Sequence, residues 1–268
     1  MAFLPLLIGA AVAATPLPAA PPANPAPHTG HPALWVVNDS DTIIYLFGTF
    51  HALDGNSEWF GQAVRTAFTA SDQLMLETLV PKLPAVAMAP SPYGSGPVAQ
   101  LAPSASYLAT TKVVMNAGRT NGLSTDHGAD AILRDAADLT GKPVAGLESF
   151  EFQLNMFSSL PSNGQSTAPQ DAETIRALGA MLGSLKSAWK RGEVETVFTP
   201  LLMQMQLQSP QSYKTMFVER NTRWAHWIAE RLKAPGTVFV AVGAGHLSGP
   251  DSVQRKLSSL GVKSARVN

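Results

Sequence analysis

Two stretches decide the fold: Thr42-Ile43-Ile44-Tyr45-Leu46-Phe47-Gly48-Thr49-Phe50-His51 and Thr237-Val238-Phe239-Val240-Ala241-Val242-Gly243-Ala244-Gly245-His246. Each is an unbroken β-branched and aromatic run that ends in Gly-x-x-His. Continuous apolar runs of this length suit central strands covered on both faces. Glycine at the strand's end permits a sharp turn and close approach of a ligand. The turn then carries an imidazole to the carboxyl edge of the sheet, where open α/β folds hold their ligand crevices. The chain has six histidines, so two in one uncommon setting carry information. The competing reading is that both rings merely cap loops.

Two carboxylates share that address. Leu74-Met75-Leu76 leads into Glu77, and Pro143-Val144-Ala145-Gly146-Leu147 leads into Glu148. Two histidines and two glutamates at one sheet edge make a mixed N/O donor set that suits Zn²⁺, Mn²⁺, Co²⁺ or Fe²⁺ and lacks the thiolates of a closed structural zinc site. Either glutamate has an alternative role as the first residue of a helix, where a carboxylate offsets the positive dipole end. That alternative is open for Glu148, which precedes an expected helix over residues 149–158. It is weaker for Glu77, because Pro81 and Pro84 argue against a helix there.

A cation comes from a third element. Residues 209–232 have helical periodicity, with Tyr213, Phe217, Trp224, Trp227 and Ile228 on one stripe. At roughly 100° per residue, Arg220 falls near the middle of that stripe and Asn221 at its edge. An arginine buried there without a partner would cost several kcal/mol. It therefore pairs with a buried carboxylate, awaits an anionic group, or snorkels past the tryptophans to solvent. His226 falls on the polar side of the same helix. His127 and Asp130 stay ambiguous, since an acid at a helix N-terminus accounts for Asp130 equally well.

The 268 residues and a hydrophobic fraction of 45% suffice for one sizeable core. Nineteen basic and nineteen acidic residues leave no net field for nucleic acid or anionic lipid. The absence of cysteine excludes disulfides, thiolate catalysis and Cys-based metal sites. Residues 1–14 read as an export signal, with a short apolar stretch and a small-x-small site at Ala11-Val12-Ala13, though without a basic start. Such a stretch is too short to span a bilayer. A Pro/Ala-rich linker follows over residues 15–33, and one domain over 34–268. The expected localisation of the mature protein is periplasmic or secreted. The expected fold class is α/β: a mixed β-sheet with a helical insertion over residues 150–235 and its chemistry at the carboxyl edge of the strands. Strands are expected at 33–38, 42–47, 143–147, 237–242 and 262–267, and helices at 58–70, 107–117, 129–139, 171–190, 193–206 and 209–232. No phosphate loop, Gly-x-Ser-x-Gly elbow or His-Glu-x-x-His helix is present.

The segments Leu34-Trp35-Val36-Val37, Tyr45-Leu46-Phe47-Gly48-Thr49-Phe50-His51, Gly146-Leu147-Glu148 with Gln153, Glu219-Arg220-Asn221-Thr222-Arg223-Trp224 and Val240-Ala241-Val242-Gly243-Ala244-Gly245-His246-Leu247 resemble, in order and spacing, the TraB/GumN family, which includes the Tiki-type metalloproteases. The resemblance covers residues 34–268. Two departures lie near the mouth of the site: Thr78 and Leu79 follow Glu77 where the family often has a second acid, and a proline-rich insert spans residues 81–103. The resemblance implies a divalent-metal-dependent hydrolase, with a peptide or other small extracytoplasmic substrate. In that reading His51, His246 and Glu77 hold Mn²⁺, Co²⁺ or Zn²⁺, Glu148 shuttles the proton, and Arg220 with Asn221 stabilises the oxyanion. The sequence leaves open which glutamate is ligand and which is base. The alternative is a non-catalytic binding protein on the same fold, for a peptide or pheromone, haem, or a polysaccharide-related ligand.

Overall fold

Asp39 shapes the first turn. Its Oδ1 accepts from the backbone N–H groups of Asp41 (3.2 Å) and Thr42 (3.0 Å), as short acidic side chains do in turns. Strands β1 (Leu34–Asn38) and β2 (Thr42–Thr49) thereby pair as an antiparallel hairpin, from Asn38 opposite Ile43 to Leu34 opposite Phe47. The computed structural model describes residues 31–55, 57–80, 105–160 and 171–267. The export signal, nearly all of the linker, the proline-rich insert and the polar break near residues 161–169 lie outside them. Among the described residues no helix is long and apolar enough to cross a membrane.

The expected mixed sheet is present, with six strands in the order β4-β3-β5-β2-β1-β6. Strands β3 (Gln73–Thr78), β4 (Val144–Glu148) and β5 (Gly236–Gly243) run parallel to β2, so four strands share one carboxyl edge. Gly48 and Gly243 both fall at that edge. The last strand, β6, is only Ala265–Arg266, shorter than the apolar pattern suggests. The backbone N–H of Val262 is taken by Leu257 O, which assigns it to the end of the preceding helix.

Phe47 and Phe239 collect an aromatic core on one face. Trp59 stacks on Phe47 at 5.7 Å between centroids, and Trp189 meets Phe47 edge-on at 6.3 Å. This burial overrides local helix signals. Residues 58–70 are not one helix: Ser57–Trp59 form a 3₁₀ turn that tucks Trp59 inward, and α1 begins only at Gln62 (Gln62–Ala70), capped by Gly61. Helices α2 (Ala105–Arg119) and α3 (Ala129–Thr140) precede β4. The elements of the insertion between β4 and β5 are all helical among the described residues. It comprises α4 (Phe150–Ser159), α5 (Ala172–Lys190), α6 (Val194–Gln208), α7 (Pro210–Tyr213), a π turn (Lys214–Val218) and α8 (Glu219–Arg231). Trp189 ties α5 to the sheet, because its indole N–H donates to Gly48 O at 2.7 Å. A 3₁₀ turn (Ala244–Leu247) and α9 (Val253–Ser259) follow β5.

Candidate site at the carboxyl edge of the sheet

Arg220 is fully buried, and its partners are the two glutamates. Its Nε donates to Glu148 Oε1 and Oε2 at 3.0 and 2.8 Å, and its Nη2 to Glu77 Oε2 at 2.9 Å. Nη1 stands 3.3 Å from His246 Nε2, and the guanidinium lies 4.6 Å over the Trp224 ring. Snorkelling is therefore not what Arg220 does. A second guanidinium, from half-exposed Arg223, takes Glu148 Oε1 at 3.0 Å and covers Phe152 at the rim. Glu148 is the last residue of β4 rather than the first of α4. Ser149 caps that helix, accepting from Phe152 N at 3.1 Å.

Burial works against ionisation of Glu77. The adjacent Arg220 guanidinium, the two imidazoles and the Gly243 N–H at 2.7 Å outweigh it, and hold the carboxyl down at about 2. His246 moves the other way. Burial, only partly opposed by Glu77, pushes its ring well below the usual 6.5, so it is neutral near pH 7.

Each imidazole is held by its outer nitrogen. Asn221 donates through Nδ2 to the carbonyls of Asp251 (2.8 Å) and His246 (3.4 Å), which turns its Oδ1 toward His246 Nδ1. The proton of neutral His246 thus sits on Nδ1, and the lone pair of Nε2 accepts from Arg220 Nη1 at 3.3 Å, with Glu77 Oε1 3.7 Å away. Both amide hydrogens of Asn221 are spent on backbone carbonyls, so it supports the ring rather than facing a substrate. His51 is held by Asp130, 2.9 Å from Nδ1. Burial opposes the ionisation of Asp130, but His51 beside it keeps its carboxyl below the usual range. Asp130 reaches His51 because α3 starts against the loop: Ala129 N bonds Phe50 O, and a Cβ on Gly128 would stand 2.4 Å from His51 O.

Gly243 lies between these groups. A Cβ there would stand 3.0 Å from His51 Nε2 and 3.1 Å from Glu77 Oε1, so glycine keeps the space over it open. The fold thus brings together His51, Glu77, Glu148, Arg220, Asn221 and His246 from five separate segments. His226 is exposed on α8, away from them. Sequence reasoning leaves Asp130 undecided and gives Arg223 no role. The available signal was the Gly128-Ala129-Asp130 string for the first, which matches a family pattern, and for the second its place in the string Glu219-Arg220-Asn221-Thr222-Arg223-Trp224.

The donor chemistry fits a divalent ion: two neutral-capable imidazoles, each oriented through Nδ1, beside an ionised carboxylate. The arrangement is nevertheless closed by Arg220. Among the described residues no three His, Cys, Asp or Glu side chains stand in positions to hold a metal ion.

The sequence profile described as the TraB/PrgY/gumN family matches residues 33–91 and 83–266. Over 138 residues the chain is 28% identical to "Uncharacterized protein YbaP" of Escherichia coli (strain K12), covering 51% of this chain and 50% of that relative. The protein of the same description from Shigella flexneri matches equally. The chain aligns to about half the length of both. No solved structure matches it significantly.

Proposed function

The chain belongs to the TraB/PrgY/gumN family, and on that premise we propose that it is a divalent-metal-dependent hydrolase. Its substrate in this reading is a peptide or another small extracytoplasmic molecule, and it works in the periplasm or outside the cell. The observation that carries the reading is the tethering of both imidazoles. Asp130 and Asn221 take the two Nδ1 atoms and leave Nε2 of His51 and His246 directed to the space beside Glu77. Histidines that bind a metal are almost always fixed in this way by an outer partner.

His51, Glu77 and His246 would hold the ion, whose contribution when bound is to polarise a carbonyl and acidify a water. The chain's own groups do the rest. Glu148 takes and returns the proton, oriented through both oxygens by Arg220 and Arg223. Arg220 offers the developing oxyanion a buried positive charge. Binding a cation competes with Arg220 for Glu77 and His246, so affinity depends on that exchange.

The engagement of Arg220 also favours a second reading, a ligand-binding protein without catalysis, because the buried charges are already balanced. Purified protein incubated with Mn²⁺, Co²⁺ or Zn²⁺ separates the two. The hydrolase reading expects one ion per chain by elemental analysis and a raised melting temperature. His51→Ala and His246→Ala should both abolish these effects, and His226→Ala should leave them unchanged. Absence of stoichiometric metal and of stabilisation would leave the binding-protein reading.

A further inference from the structure

Helix α4 starts directly after Glu148 and its cap Ser149, so its first turns stand at the mouth of the site. Phe152 is exposed there, and the Arg223 guanidinium lies 4.6 Å over its ring. Stacking on an aromatic face leaves the N–H donors of a guanidinium in its plane, directed outward past the ring. Among the described residues the protein takes only Nη2 of Arg223, through Glu148 Oε1 at 3.0 Å. Arg223 is half-exposed, so its other donors are within reach of a molecule entering from solvent. Gln153, the next residue of α4, is only 7% exposed, yet its amide has no hydrogen-bond partner among the described residues and neither amide atom is sealed from solvent. A buried amide that served the fold would be bonded, and leucine would fill the same place without the cost of desolvating it. The Gln153 amide therefore reaches a solvent-accessible gap beside α4.

A guanidinium fork held on an aromatic shelf is suited to a carboxylate, which it grips by two parallel hydrogen bonds. We propose that Arg223, Phe152 and Gln153 form a subsite for the free α-carboxylate of a peptide and its last residue, which makes the protein a carboxyl-terminal peptidase. This deepens the hydrolase reading and rests on it. Arg223 is available because Arg220 Nε already holds both oxygens of Glu148. Glu148 and a substrate carboxylate on the same guanidinium stand on the order of 6 Å apart, two charge-assisted hydrogen bonds in series. An extended residue covers about 3.5 Å, so the peptide bond that reaches Glu148 is the last one or the one before it. The Gln153 amide, which both donates and accepts, reads the peptide unit beside the carboxylate. In the reaction the oxygen of water forms the new bond to the acyl carbon. The departing nitrogen keeps the electron pair of the broken C–N bond and takes one proton of that water by way of Glu148, while the other stays on the acid product. The released amino acid or dipeptide leaves with its own carboxylate unchanged.

The test offers the full chain N-acetylated hydrophobic tripeptides as free acids, as C-terminal amides, and as amides ending in a glutamyl residue. Binding is read by calorimetry and, with Mn²⁺ added, cleavage by mass spectrometry. Free acids should bind about tenfold or more tighter than amides, the size of one hydrogen-bonded charge, and be cut at the last bond or the one before it. Arg223→Met, which keeps an apolar stem over Phe152, should erase that preference and leave amide binding unchanged. Its melting temperature should hold, since an ion pair at the rim contributes little. Gln153→Leu should weaken binding of acids and amides alike and hold or raise the melting temperature; a lower one makes Gln153 structural and removes it from the subsite. Acids and amides bound equally by the wild type, or a preference that survives Arg223→Met, overturns the proposal. Glutamyl amides bound as tightly as free acids would put a side-chain carboxylate on Arg223 and overturn terminal cleavage. If acids and amides are cleaved alike, the subsite fails and the hydrolase reading stands. If nothing is cleaved while acids bind preferentially through Arg223, the hydrolase reading fails and the carboxylate subsite stands.

Discussion

Replacing Arg220 with leucine removes the one guanidinium shared by two buried carboxylates. In the native protein Glu77 titrates at about 2 instead of the usual 4.5. At about 1.4 kcal/mol per unit, that difference corresponds to about 3 kcal/mol of stability at neutral pH, to which Arg220 is the chief favourable contributor. Glu148 loses its closest cation at the same stroke and keeps only rim-exposed Arg223. Breaking a buried pair typically costs about 3–5 kcal/mol, and we expect Arg220→Leu to fall at the upper end, a melting temperature lower by about 10 °C or more. The penalty has a pH signature. The contribution of Glu77 is complete above pH 4.5 and lost as pH falls toward 2, so mutant and wild type should converge in acid. Urea denaturation at pH 7 and pH 4, repeated with Glu77→Gln and Glu148→Gln added, measures this directly. A neutral Arg220→Leu at pH 7, or a loss that the double and triple variants fail to rescue, would refute the network argument. Complete rescue would instead identify Arg220 as a structural counter-ion and remove it from the oxyanion role.

Wild-type stability should begin to fall as pH drops below 6.5, because unfolded His246 binds a proton there that the buried ring refuses, and should fall further below 4.5 through Glu77; thermal melts from pH 8 to 4 will show whether the onset lies near 6.5. Asp130→Asn should leave the melting temperature nearly unchanged, since an amide oxygen still accepts from His51 Nδ1, yet weaken Mn²⁺ binding about 10–100-fold by calorimetry; equal affinity would remove Asp130 from the site. Gly243→Ala should cost about 1–3 kcal/mol by pressing on two side-chain ends. Gly128→Ala should cost more, because its Cβ meets the His51 carbonyl and backbone must move; the reverse order in denaturation midpoints would contradict the packing.

Much of this was legible in the chain. The runs before Gly48 and Gly243 fixed both central strands, since β-branched and aromatic residues without polar interruption fit a sheet covered on both faces. The helical stripe placed Arg220 inside. What local pattern could not give was pairing across long separations. Nothing near Arg220 names Glu77 and Glu148 as its partners, and nothing near His51 names Asp130. Trp59 illustrates the same limit: its neighbourhood reads as helix, but the stack on Phe47 decides its conformation. The family resemblance implies Asn221 as a donor to substrate, whereas the Asp251 and His246 carbonyls take its amide hydrogens.

The π turn at Lys214–Val218 sets the phase of everything that follows it. Such a turn is an α-helix carrying one extra residue. Arg220, Asn221, Arg223 and Trp224 all lie on the α8 side of it. The wide turn absorbs the extra residue; wound instead as ordinary α-helix with no residue lost, positions 214–218 would swing the block by about 100°. The guanidinium, the amide that steadies His246 and the indole beside it would turn away from the sheet edge together. These residues therefore work as one cassette on a shared axle, and rewinding the one turn that carries Phe217 against His246 is enough to dismantle the site while every residue of it remains in the chain.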